Sequence, residues 1–259
     1  MKLSLYQIDA FTSEVFKGNP AAVVPLDVWV ADELMQQIAA ENNLSETAFF
    51  VSEDDGYRLR WFTPVAEVDM CGHATLASAY VLFECLGYEK ETIIFKTISG
   101  RLEVSKCSNG YTMDFPLQSL QVCDISKQIE AAFGIKPVAT FASMDYVVVF
   151  EDEATVKSAK PNISLLKEFD LRGVCITAKG DDTDIVLRFF APKIGVDEDP
   201  VTGSAMTQVI GYWADKLQKE TLSVKQLSQR GGKAVCYLHG NRVVISGDAV
   251  KYLDGVFEV

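Results

Sequence analysis

Leu59-Arg60-Trp61-Phe62-Thr63-Pro64, followed by Val68-Asp69 and Cys71-Gly72-His73-Ala74, has a counterpart half a chain later. There the sequence reads Leu187-Arg188-Phe189-Phe190-Ala191-Pro192, Val196-Asp197 and Thr202-Gly203-Ser204-Ala205. In both, an alternating strand ends in Phe-x-Pro, a polar loop follows, and a glycine opens a segment with helical spacing. Strand-turn-helix order is common in unrelated chains. The shared Leu-Arg-x-Phe-x-Pro is what marks a repeat.

Working outward, Leu76, Ala79, Tyr80 and Phe83 fall at helical intervals, as do Met206, Val209, Ile210, Trp213 and Leu217, so each helix packs one face on a sheet. After each helix come paired strands. Gly100-Arg101-Leu102-Glu103-Val104 and Tyr111-Thr112-Met113-Asp114-Phe115 match Gly232-Lys233-Ala234-Val235-Cys236 and Arg242-Val243-Val244-Ile245. Asn109-Gly110 and Gly240-Asn241 are hairpin turn signals. A boundary near Pro116 gives two similar α+β domains, 1–116 and 117–259, each with a mixed or antiparallel sheet and a central helix.

The 259 residues suffice for two such domains, and 48% hydrophobic with 23% charged residues is a globular composition. A net charge of -12 argues against a nucleic-acid partner, which needs clustered Lys and Arg. An anionic ligand must then be held by local donors, helix N-termini foremost. No apolar run reaches the ~18 residues of a membrane span. The beginning, Met1 to Asp9, reads as a first strand rather than a signal peptide. The six cysteines, at 71, 85, 107, 123, 175 and 236, have neither CxxC pairs nor metal-ligand spacing. We therefore expect a reduced, cytoplasmic chain with no metal.

Gly72 and Gly203 each open a helix whose free N–H groups and positive dipole end suit a carboxylate. Singly, each glycine reads as a turn former and Ser204 as an N-cap. Their matched positions favour a shared binding role. His73, one of two histidines, is placed to donate to a substrate oxygen or relay a proton. His239 lies in a turn and receives no role. Glu46 is one of 36 acidic residues, but it sits between Ser45 and Thr47 at the start of an aromatic strand. Partial burial there suits a carboxyl to general acid/base work. In Asp197-Glu198-Asp199-Pro200, the short acidic run is no cation site by itself. Asp199, held by the following proline, is best placed to orient a histidine or a substrate amine.

The segments Phe16-Lys17-Gly18-Asn19-Pro20-Ala21-Ala22-Val23, Leu44-Ser45-Glu46-Thr47-Ala48-Phe49, Cys71-Gly72-His73-Ala74-Thr75 and Glu198-Asp199-Pro200-Val201-Thr202-Gly203-Ser204-Ala205 together resemble the phenazine-biosynthesis-like PhzF family in order and spacing. The match extends to Ser228-Gln229-Arg230-Gly231-Gly232 and to Val243 through Val250. This resemblance implies the diaminopimelate-epimerase-like fold, two curled sheets each around a central helix, with the active site between them and the last strand free to return to the first domain. It implies a homodimeric isomerase working without a cofactor on a small carboxylate-bearing substrate, as phenazine-pathway members do on dihydro-3-hydroxyanthranilate. Glu46, His73 and Asp199 would be catalytic, and Asn19, Gly72, Gly203 and Ser204 would bind substrate.

Related epimerases and proline racemases use two cysteines as opposed acid and base. Here Cys71 matches one, and the other position is Thr202, whose hydroxyl is too weak an acid to share a proton with a thiol. Cys71 then reads as a small buried residue. An amino-acid racemase is the alternative enzyme, and a silent ligand-binding member of the fold is the alternative of another class, disfavoured by intact Glu46, His73 and Asp199.

Overall fold

The computed structural model describes residues 1–108 and 110–259. Asn109, half of the expected Asn109-Gly110 turn, lies outside the described residues. The chain divides into two compact units, one of residues 1–114 with 246–259, the other of 115–245.

The first unit runs β1 (Lys2–Ala10), β2 (Asn19–Leu26), α1 (Asp32–Asn42), β3 (Glu46–Glu53), β4 (Gly56–Phe62), β5 (Glu67–Val68), α2 (Gly72–Tyr80), β6 (Thr92–Thr97), β7 (Gly100–Cys107) and β8 (Gly110–Pro116). Next come β9 (Gln121–Val122), α3 (Ser126–Phe133), β10 (Ala139–Ala142), β11 (Tyr146–Val149), α4 (Glu153–Ser158), α5 (Ile163–Lys167), β12 (Val174–Lys179), β13 (Ile185–Ala191), β14 (Val196–Asp199), α6 (Gly203–Leu217), β15 (Thr221–Gln226), β16 (Gly232–His239) and β17 (Arg242–Gly247). The chain ends with β18 (Ala249–Glu258), antiparallel to β1.

The two units repeat one pairing scheme. In the first, β1 is antiparallel to β2, β2 parallel to β3, and β3 antiparallel to β4, while β4 pairs antiparallel with β5 and parallel with β6, which is antiparallel to β7. In the second, β10, β11, β12, β13, β14, β15 and β16 repeat these relations in the same order. The inner parallel strands are apolar on both faces, as covered sheets require: Ala21–Val24 in β2 and Val174–Ala178 in β12 are buried throughout.

The repeated arginine has the same structural task in both units. Arg60 makes a bidentate pair with Glu67, Nε to Oε1 at 2.7 Å and Nη2 to Oε2 at 2.8 Å, tying β4 to β5. Arg188 pairs likewise with Glu198, at 2.7 and 3.0 Å, tying β13 to β14. Each guanidinium also lies over the phenylalanine two residues on, Arg60 5.1 Å from the Phe62 ring and Arg188 4.9 Å from Phe190. The Arg-x-Phe of the motif is thus a strand clamp.

Helix α2 packs on β1, β2 and β3, and its residues His73 to Ala79 are all buried. Its small side chains fit a curled sheet, and its two buried hydroxyls are satisfied inside the helix. Thr75 Oγ1 donates to Cys71 O at 2.6 Å and Ser78 Oγ to Ala74 O at 2.8 Å. The strand face bearing Val24, Phe49 and Phe62 packs instead with Met35 and Ile38 of α1. In the second unit α6 packs on β15 and β16, while α3, α4 and α5 cover a separate cluster that includes Ile129, Val148, Val156, Leu166, Ile176 and Phe190. Full burial of such a side chain contributes about 1.5–3 kcal/mol. Among the described residues, no helix is long and apolar enough to cross a membrane.

Candidate active site

Three elements of the first unit bring their starting residues together. β2 and β3 run parallel with Ala21 opposite Glu46, so Asn19 and Glu46 open neighbouring strands at the same end. Asn19 is placed there by a tight turn at Gly18, whose φ is 63° and where a Cβ would meet Ala10 O at 2.1 Å. His73, the second residue of α2, arrives at the same end, buried.

His73 Nε2 lies 3.1 Å from Glu46 Oε2, and its Nδ1 lies 3.2 Å from Asn19 Nδ2 and 3.4 Å from Cys71 Sγ. Glu46 Oε2 is shielded from solvent but off line for a directed hydrogen bond, so its contact with the ring is electrostatic. Burial, reinforced by the Glu46 carboxylate, pushes the Cys71 thiol up to about 11, although His73 pulls it down. At His73, burial opposes the imidazolium, but Cys71 and Glu46 outweigh it and hold the ring's pKa well above its ordinary value. A thiol at about 11 is neutral near pH 7, so the charge that favours the imidazolium there is the Glu46 carboxylate.

The N-cap of α2 is Cys71, extended at φ -146° and making no side-chain cap bond. The helix start at Gly72 therefore has no side-chain cap bond, and its positive dipole end suits an anion.

In the second unit Asp199, Gly203 and Ser204 gather at the start of α6. The N-cap is Thr202, not Ser204, and it too makes no side-chain cap bond. Its hydroxyl donates to Asp199 Oδ2 instead, and its N–H donates to Gln226 Oε1 at 2.8 Å. Gln226 Nε2 donates to Asp199 O at 2.7 Å, fixing the loop on both sides. The acidic run before α6 divides: Glu198 is the partner of Arg188, and Asp199 faces the helix start.

Sequence reasoning missed the support of Ser204. Fully buried Asp145 holds Arg172 through Nε at 2.9 Å and Nη2 at 2.6 Å, and Nη2 also donates to Ser204 Oγ at 3.1 Å. Gln208 Nε2 donates to Asp145 Oδ2 at 2.8 Å, while its Oε1 accepts from Asp145 N at 3.0 Å. Because Ser204 Oγ accepts from Arg172, its own hydroxyl proton is directed elsewhere, as a donor. The one sequence signal was Gln208, four residues after Ser204 on an otherwise apolar helix face.

A separate cleft of about 470 Å³, lined by Trp29, Arg58, Arg60, Trp61, Glu67 and Ile98 among others, shares no residue with the Glu46 cluster.

Residues 8–255 match the phenazine biosynthesis-like protein family, PhzC-PhzF. The chain is 47% identical over 259 residues to an uncharacterized isomerase of Pseudomonas aeruginosa, covering 100% of both chains. It superposes on the crystal structure of a phenazine biosynthesis protein PhzF family member from Enterococcus faecalis with a TM-score of 0.98 and 46% identity, again covering 100% of both chains. A hydroxyproline epimerase from Agrobacterium vitis aligns over 98% of this chain and 92% of its own, with a TM-score of 0.64 and 9% identity. That last likeness shows a shared epimerase-like fold.

Proposed function

The chain belongs to the phenazine biosynthesis-like PhzC-PhzF family, and we propose that it is a cofactor-independent isomerase that moves a proton within a small cyclic carboxylate, with Glu46 as the acid/base. The observation that carries this reading is the setting of Glu46. Its Oε2 is withdrawn from water, lacks a directed hydrogen bond, and stands 3.1 Å from an imidazole. A carboxylate in that setting keeps a lone pair for a substrate proton. One carboxyl can accept the proton and return it on the same substrate face, as a shift between carbons requires.

His73 stabilises the carboxylate while it is charged and, as imidazolium, can donate to a substrate oxygen. Asn19 lies 3.2 Å from Nδ1 and steadies the imidazolium with its amide oxygen turned to accept from Nδ1–H. Within the first unit we assign the substrate carboxylate to the helix start at Gly72, beside Glu46 and His73; in the second unit the helix start at Gly203 is likewise without a side-chain cap, with Ser204 as its hydroxyl donor and Asp199 beside it. Two-thiol racemisation finds no second thiol: Thr202, opposite Cys71 in the repeat, gives its hydroxyl to Asp199. The scattered free thiols suit a reducing, cytoplasmic setting.

The reading is tested by incubating the protein with candidate cyclic amino and hydroxy acids in heavy water. Incorporation of a single deuterium at the receiving carbon, without inversion at a stereocentre, is expected. Incorporation with racemisation would favour the epimerase reading instead.

A further inference from the structure

We propose that the cleft beside β4 in the first unit binds a small monocarboxylate with a flat apolar body, its carboxylate held by Arg58. The internal repeat explains why a cleft is there. In the second unit β13 pairs with β15 as far as Leu187↔Gln226, and Leu227 N then donates to Leu187 O at 2.8 Å. Gln226 reaches the backbone of Asp199 and Thr202, and Leu227 packs against the cluster that includes Val186 and Phe190. The gap between β14 and β15 is thereby filled.

In the first unit the matching ladder of β4 with β6 stops one residue earlier, at Arg58↔Lys96. Thr97 stands where Gln226 does, but it is too short to span the gap and turns its hydroxyl to Gly100 O at 2.8 Å. Ile98, in the place of Leu227, is 66% exposed. The chain there is also shorter, since Ile98 and Ser99 alone join β6 to β7, whereas residues 227–231 join β15 to β16. β4 next pairs at Trp61↔Val68, with β5. Leu59 and Arg60 therefore have no strand partner on that edge among the described residues, and the cleft of about 470 Å³ lies against them.

The lining selects the ligand. Of its charged groups, Arg60 and Glu67 hold each other at 2.7 Å and Glu53 is held by Lys96 at 3.1 Å, while the further partners Asp32 and Asp55 are exposed. The Arg58 side chain has no hydrogen bond or ion pair among the described residues. A free guanidinium is a planar fork that matches a carboxylate bidentately. Trp61, only 1% exposed, also lines the cleft, and its indole N–H is buried without a partner, a donor that a ligand oxygen would satisfy. Trp29 and Ile98 offer apolar surface to the body of the ligand. An inserted peptide strand fits less well: the free edge is Leu59 and Arg60 alone, against ~5–6 residues in an ordinary strand, and the volume is in the ~300–1,000 Å³ range of small-molecule sites.

The test titrates nitrogen-15-labelled full-length protein with naphthalene-2-carboxylate and follows the indole N–H signals of Trp29, Trp61 and Trp213, assigned by substitution to phenylalanine. We expect saturable shifts of Trp29 and Trp61, with Trp213, in α6, unmoved. Arg58→Gln weakens binding at least ~10-fold, as loss of a charge-assisted hydrogen bond requires. Arg58→Lys keeps the charge and loses less, which guards against a folding defect in the first variant. The neutral 2-naphthamide binds at least ~10-fold more weakly than the acid. His73→Gln, in the Glu46 cluster, leaves the Trp29 titration unchanged, which separates this site from carboxylate binding at the Gly72 helix start. Absence of a saturable Trp29 shift, equal affinity for acid and amide, binding indifferent to Arg58→Gln, or a Trp29 shift lost in His73→Gln overturns the proposal. The signals need no turnover, so the result is independent of the isomerase reading.

Discussion

His73 Nε2 and Glu46 Oε2 face each other at 3.1 Å with both side chains largely withdrawn from solvent. The contact joins the start of a strand to the start of a buried helix, so the fold itself holds the two groups at that distance. Their chemistry follows from it: each biases the other's charge, and neither can be altered without changing what the other does.

The stability of the protein should fall as pH rises above neutrality. At His73 burial disfavours the charged ring, but Cys71 and Glu46 hold its pKa well above the ordinary 6.5. A raised folded value means this contribution is complete below pH 6.5 and is lost as pH climbs through the folded value. Melting temperatures at pH 6, 7.5 and 9 should decline, and His73→Gln should flatten that decline.

The two repeated arginines should differ in worth. Arg188 is 12% exposed and also donates to the Ala159 carbonyl at 2.7 Å, whereas Arg60 is 21% exposed and shares its charge with the open Asp32. Arg188→Ala should cost about 3 kcal/mol, toward the buried-pair range, and Arg60→Ala about 1 kcal/mol. Urea denaturation of both variants measures the difference, and equal losses would contradict the assignment.

Gly18→Ala should destabilise the turn that places Asn19. The added methyl group would need to occupy a position 2.1 Å from Ala10 O at a φ of 63°. A loss of about 2–3 kcal/mol is expected, with activity falling further than stability explains because Asn19 steadies His73. A fully active variant of normal melting temperature would contradict this.

Asp145→Asn should release the arm that fixes Ser204. Asp145 is fully buried and Arg172 is 36% exposed, so about 2–3 kcal/mol of stability should go, the lower part of the range for breaking a buried pair. If Ser204 binds substrate, KM should rise more than kcat falls, and Ser204→Ala should add little in the Asp145→Asn background. Additive effects would separate the two residues.

Much of the fold was legible because Leu-Arg-x-Phe-x-Pro and the helix-opening glycines recur at matched positions, and backbone grammar is local. Asn19, Glu46 and His73 were readable as motif residues, but their convergence depends on two parallel strand starts meeting a helix start. Asp145, Arg172 and Gln226 were not readable. Each is a single polar residue whose partner is set by long-range packing, such as Gln208 for Asp145. The N-cap of α6 is Thr202 rather than Ser204 for a local reason: the cap is set by backbone angles, and Thr202, at φ -119°, is the extended residue before the helix.

The claim that Glu46 moves the proton is tested most directly by heavy-water exchange, comparing Glu46→Gln with Cys71→Ala. The amide keeps the shape of the carboxyl but cannot take and return a proton, so exchange should fall by at least ~100-fold while the melting temperature holds. Cys71→Ala should retain exchange within about tenfold, the lower bound of a general acid/base contribution being about 100-fold. Exchange abolished in Cys71→Ala but near wild type in Glu46→Gln would contradict the mechanism and move the proton to the thiol.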